Sequence, residues 1–199
     1  MPASATAVDD YLKVIYAHTE WQPEPITPLV LAGRLGLAAS SVTEMVKKLS
    51  AQGLVSHKPY SAIELTRDGT SLALRIVRRH RLIETWLVQR MGYSWDQVHD
   101  EAEILEHAMS DRLLDEIDGQ LDNPPRDPHG DPIPNRHLVV DRPAAVLLAN
   151  AEGGRVVRIC DRDPELLRQL QRDGVTLDSD VSRASMRSEA LHSIWVSVA

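Results

Sequence analysis

Residues 27–53 read TPLVLAGRLGLAASSVTEMVKKLSAQG, and the fold is decided here. Thr27-Pro28 offers a helix cap followed by a residue whose φ is already helical, and Gly36 stops the helix they begin, which is therefore short. After the tight GLAA turn, Ser40 or Ser41 can cap a longer helix. Its Val42, Met45, Val46 and Leu49 share one face, from which Lys47 and Lys48 are absent. Short helix, glycine-containing turn and amphipathic helix together spell a helix-turn-helix.

Working outward, residues 8–21 carry Tyr11, Leu12, Ile15 and Tyr16 three to four apart, one apolar helical stripe. Residues 54–66 place two short apolar segments around the polar tip His57–Ser61, the pattern of a hairpin, which completes a winged helix-turn-helix. Residues 67–91 predict a long helix closed by Gly92, and a further helix is expected over 95–122. Five of the twelve prolines then fall between Pro124 and Pro134, where the backbone must leave helical geometry. Beyond them, VLLA, the strand-like RVVRIC, the short helix DPELLRQLQRDG and DVSRAS suggest a small α+β module. The chain therefore reads as mainly α, with domains at 1–74, 75–138 and 139–199.

The length of 199 residues and a hydrophobic fraction of 43% suit a globular chain with real cores. No charged leader precedes an apolar run, and no stretch of about 18 apolar residues occurs, so a cytoplasmic protein without a membrane partner is expected. Cys160, the single cysteine, excludes an internal disulfide framework and a thiolate-cluster metal site; it reads as a buried small hydrophobe in a strand. The net charge of −7 is unevenly spread. Residues 34–81 hold nine basic side chains against three acidic ones, whereas residues 82–199 hold twelve basic against twenty-two acidic. A basic block beside an acidic one suits a polyanion binder joined to a cation collector.

On a helix, the segment VHDEAEILEH (98–107) puts His99, Glu103, Glu106 and His107 on one face. The preceding helix adds His80 and Glu84 at a spacing of four, and the first helix opens with Asp9-Asp10. From the residues alone, a metal site and a solvated acidic face stand level. His18, His57, His129, His137 and His192 have no spacing that recommends them as ligands and read as surface or loop residues. An enzymatic alternative, a helical di-metal carboxylate oxidase, needs Glu-x-x-His on two helices of one bundle, and that repeat does not occur.

HDEAEILEHAMSD (99–111) followed by PHGDPIPNR (128–136) resembles the signature of the diphtheria toxin repressor family of metal-activated transcription regulators, a likeness extending from residue 8 to about 138. The resemblance implies a winged helix, a helical dimerisation and metal-binding domain, and an SH3-like or FeoA-like third module, to which residues 152–199 are similar. By motif position it implies a primary site of Asp10, Glu103, Glu106 and His107, and a second of His80, Glu84 and His99. The short helix of the third module would complete the second site, with Asp163 and Glu165 as candidates and Asp161 behind them. Iron-responsive members carry Met and Cys where this chain has Asp10 and Glu103; two carboxylates in place of sulfur favour Mn(II), with Fe(II), Co(II) or other divalent ions as alternatives. Lys13 replaces the glutamate of regulators with a bridged binuclear site, so a separated second site is expected. The implied function is a Mn(II)-activated repressor of metal-homeostasis genes, a homodimer on a double-stranded DNA operator; an iron-responsive regulator of the same family is the alternative. Ser40, Ser41, Thr43 and Glu44 would enter the major groove, and Lys47, Lys48, Lys58 and Tyr60 would meet phosphates, unless the serines only cap and the lysines are only solvated.

Overall fold

The helix-turn-helix forms where its caps sit. In the computed structural model, which describes residues 5–22, 24–58 and 61–197, helix α2 (Pro28–Leu35) begins with the Thr27 side chain accepting a hydrogen bond from the Val30 amide and ends at Gly36 with φ 64°. Helix α3 (Ala39–Ala51) departs from expectation at its start. Ala38 is the cap and makes no side-chain bond, while Ser40 and Ser41 lie exposed inside the first turn. The Leu37 amide bonds back to the Ala32 carbonyl, so the tight turn itself delivers the chain into α3 two residues early.

Helix α1 (Ala5–Glu20), α2, α3 and the hairpin β1 (Val55–His57) and β2 (Ile63–Leu65) enclose one core of Leu12, Ile15, Ile26, Leu31, Val42, Val46, Leu49 and Ile63. The strands are antiparallel with Ser56 opposite Glu64, and Ile26 bridges to Ile63 at the hairpin's edge. At the start of α4 (Arg67–Met91), Gly69 lies against the Leu54 carbonyl, where a Cβ would come within 1.9 Å of the oxygen. No single helix among the described residues is long and apolar enough to cross a membrane.

The chain divides into two compact units, one ending at Val77 and the other beginning at Arg78. In the second, the helix expected over 95–122 is two helices, α5 (Val98–Leu105) and α6 (Asp111–Gln120). Ser110 accepts from the Leu113 amide and Asp111 follows in the first turn, so a strong start signal interrupts the apolar periodicity that runs across it. After the proline-rich loop comes a four-stranded antiparallel sheet made of β3 (Ala145–Leu147), β4 (Gly153–Ile159), β5 (Asp180–Ser182) and β6 (Ile194–Ser197), in the order β3-β6-β4-β5. The last strand thus lies inside the sheet. Helix α7 (Pro164–Arg172) buries Leu167 and Leu170 against Val156, Ile159 and Ile194. Cys160 falls just past β4 and is half-buried, not a buried strand residue as expected.

Candidate metal centre

Helical spacing places His80 and Glu84 one turn apart on α4, both buried. His80 is the hub: its Nδ1 lies 2.6 Å from Glu106 Oε2, and its Nε2 lies 3.1 Å from Glu84 Oε1 and 3.2 Å from His99 Nδ1. Glu106 Oε1 is in turn 3.4 Å from His107 Nε2. Within this unit, therefore, the ligand sets expected to stand apart meet at His80. Glu103 faces His99, 3.6 Å away, and its carboxylate, with His80 and His99, forms a group that could hold a metal ion. Asp10 is half-buried on α1 of the first unit.

A second gathering surrounds Glu84. Glu84, His99 and Asp161 offer donor atoms within 4.8 Å of one another, and so do Glu84, Asp127 and His129. His129, expected as a surface or loop residue, does lie in a loop but is fully buried; His18, in helix α1, is buried as well, against Gln22. The His129 ring stacks on Trp95 and its Nε2 donates to the Trp95 carbonyl at 2.7 Å. Its Nδ1, 3.9 Å from Glu84 Oε2, has no hydrogen-bond partner. A histidine that gives one N–H to a backbone carbonyl and keeps the other nitrogen bare is arranged as metal-binding histidines are. With only imidazole and carboxylate donors around it, the site fits a hard or borderline divalent cation.

The proline-rich loop is what delivers His129. Asp127 Oδ1 accepts from the amides of His129 and Asp131, and Gly130, at φ 94°, brings the loop so close to β4 that a Cβ would lie 2.1 Å from the Val157 oxygen. The Ile159 amide then bonds to the His129 carbonyl. Asp163 and Glu165 are not brought to the cluster: Asp163 caps α7, and Glu165 is exposed and paired with Arg168. Asp161, two residues before the cap, takes their place, 3.4 Å from His99.

Burial by itself would raise the Glu84 and Asp161 carboxyls, but the facing imidazoles outweigh it and hold both well below the usual carboxylate range. Burial opposes protonation of His99, yet Asp161 and Glu84 push its pKa up. Burial, Asp131 and Glu84 together raise the Asp127 carboxyl.

Because α5 stops at Leu105, Glu106 and His107 sit on a turn that something must hold. Arg79 does so, bonding the carbonyls of Glu106 (3.1 Å) and Met109 (2.7 Å) and the carboxylate of Asp111. Arg79→Ala is expected to weaken metal binding about tenfold or more while circular dichroism stays unchanged, with Arg79→Lys intermediate. Calorimetric metal titration without DNA checks this, and parental affinity in both variants would count against it.

In the first unit, Ser40, Ser41, Thr43, Glu44, Lys47, Lys48 and Lys58 are all exposed; Tyr60 lies outside the described residues. Thr43 and Lys47 line a cleft of about 700 Å³ with Thr27, Leu29, His57 and Ser61.

Residues 5–63 match the family "Iron dependent repressor, N-terminal DNA binding domain", and residues 66–135 match "Iron dependent repressor, metal binding and dimerisation domain". A solved structure described as a manganese-dependent transcriptional repressor complex with manganese is 42% identical; the match covers 96% of this chain and 100% of that one, with a TM-score of 0.89. The chain belongs to the diphtheria toxin repressor family. A second solved structure, described as ScaR with bound Zn2+, is 29% identical; the match covers 94% of this chain and 97% of that one, with a TM-score of 0.77. The diphtheria toxin repressor of Corynebacterium glutamicum is 39% identical over 126 residues, 62% of this chain. The match spans about half, 54%, of that relative's length. The family is one of transcriptional regulators, and this member carries its DNA-binding, metal-binding and dimerisation domains.

Proposed function

We propose that the protein is a Mn(II)-activated, DNA-binding transcriptional repressor that governs metal-homeostasis genes in the cytoplasm. The observation that carries this reading is the buried His129 Nδ1, left bare among Glu84, Asp127 and Asp161 in a chain that also carries a helix-turn-helix. The primary ligands are Asp10, Glu103, Glu106 and His107. The second site draws on Glu84, His99, His129 and Asp161, with His80 joining the two sets. A bound divalent cation supplies positive charge where carboxylates otherwise repel one another. Asp10 stands on the first helix of the DNA-binding unit, so engaging it restricts how that unit can be held. Operator affinity thereby becomes linked to metal. Titrating a labelled operator duplex with and without Mn(II) tests the reading; metal-independent binding would leave the metal a structural role.

The protein acts as a homodimer on double-stranded DNA. Ile104 on α5 and Leu113 on α6 are large apolar side chains left exposed, which a second copy would cover. Light scattering is expected to give about twice the 22.2 kDa chain mass; a stable monomer in the presence of metal would contradict it.

Metal choice rests on Asp10 and Glu103. The double variant Asp10→Met, Glu103→Cys is expected to lose response to Mn(II) and gain response to Fe(II) or Co(II), because sulfur favours borderline ions and the charge Mn(II) needs is removed. Anaerobic DNA-affinity titrations against each metal check this. Retained Mn(II) preference would place selectivity at the second site.

A further inference from the structure

Helix α3 presents a carboxylate where a DNA-facing helix would ordinarily avoid one. Glu44 is the sole acid on α3, it is exposed, and among the described residues its carboxylate makes no hydrogen bond or ion pair, although Lys48 lies one turn on. At about 100° per residue, Ser40, Glu44 and Lys47 form the stripe opposite the buried Val42, Val46 and Leu49. Glu44 is therefore central to the outward face. The neighbouring Thr43 hydroxyl is engaged with the Ala39 carbonyl at 2.8 Å, whereas Ser40, Ser41 and Glu44, all exposed, are open to a partner, and of these only Glu44 carries charge.

A carboxylate at the centre of this face is repelled by phosphate on either side, and what it can gain from DNA is an N–H donor on a base edge. The major groove offers two, the amino groups of cytosine and adenine. Adenine sets its N7 acceptor beside its amino group, against the second carboxylate oxygen, whereas cytosine sets only a C–H there. Resting on the DNA-binding function proposed for this chain, we infer that Glu44 reads a cytosine at one symmetry-related position in each operator half-site, accepting a hydrogen bond from its amino group, while Lys47 and Lys48 hold the flanking phosphates.

The test is selection from randomised duplexes by the full Mn(II)-loaded chain, followed by titration of single-base variants at fixed salt. The parent is expected to select cytosine at that position and to lose about tenfold or more in affinity when it is replaced. Glu44→Gln is expected to move the preference to adenine, whose N6 and N7 match an amide, and Glu44→Ala to erase it, with preferences elsewhere in the site preserved. The inference is overturned if the parent shows no cytosine preference that responds to Glu44. It is equally overturned if both variants keep the parent motif and merely bind every duplex more tightly, which would make the carboxylate a brake on phosphate contact. A parent that binds no duplex with metal present would overturn the regulatory reading as well.

Discussion

His107→Ala is expected to abolish metal-dependent operator binding, raising the Mn(II) concentration needed by at least about a hundredfold, beyond what loss of a residue supporting a ligand costs. His107 is half-buried, lies 3.4 Å from Glu106 and sits on the turn that Arg79 braces, so its imidazole is held beside that carboxylate. His80→Ala should be damaging but less so, because it removes a hydrogen bond to Glu106 and a neighbour of Glu84 and His99 and leaves the primary carboxylates in place. His80 touches Glu106 as well as Glu84 and His99, so the double variant should fall short of the sum of the singles. Fluorescence anisotropy of a selected duplex against Mn(II), with circular dichroism as a folding control, reads all three. A His107→Ala protein with the parent's Mn(II) midpoint would remove that residue from the site.

Asp131→Ala should cost about 3–5 kcal/mol of stability, the penalty for stranding a buried charge. Asp131 accepts from Arg158 Nε at 2.7 Å and lies 3.6 Å from Arg81, and all three side chains are buried. Arg158 also stacks over Trp195, 4.4 Å from the ring centre, so its guanidinium is trapped between that ring and the loop and cannot turn to water. Asp131→Asn retains an acceptor and should cost less. Glu152→Ala supplies the contrast: Glu152 pairs with Arg183 on the surface, and its loss should cost under about 1 kcal/mol. Urea unfolding with chelator present measures all three without a contribution from bound metal. An Asp131→Ala loss as small as that of Glu152→Ala would mean that water reaches Arg158.

What could be read from the sequence was local. Thr27-Pro28, Gly36 and the Val42–Val46–Leu49 stripe specify their helices through the nearest few residues, and α4 runs over the 67–91 range that periodicity predicts. The spacing of His80 and Glu84 puts both on one face of that helix whatever surrounds it. The break at Ser110 carried a signal, since Ser-Asp is a strong helix start, but the apolar rhythm on either side masked it. His129 had no periodicity to betray it. Its surroundings come from Gly130, which lets the proline-rich loop press against β4, and from Trp95, thirty-four residues away, whose carbonyl accepts the hydrogen bond from its Nε2.

Asp161 and Asp163 show the same division within three residues. An aspartate before a proline-started helix reads equally well as a ligand or a cap, and the register of α7 makes Asp163 the cap and leaves Asp161 to face His99. By itself, the sequence determined the fold class, most of the helices and the shared face of His80 and Glu84 on α4, because helix formation depends on neighbours along the chain. Only the tertiary structure decided which loop and which strand end come up against Glu84 and His99. Their donor atoms are separated by tens of residues, and the packing of backbone against backbone gathers them around Glu84.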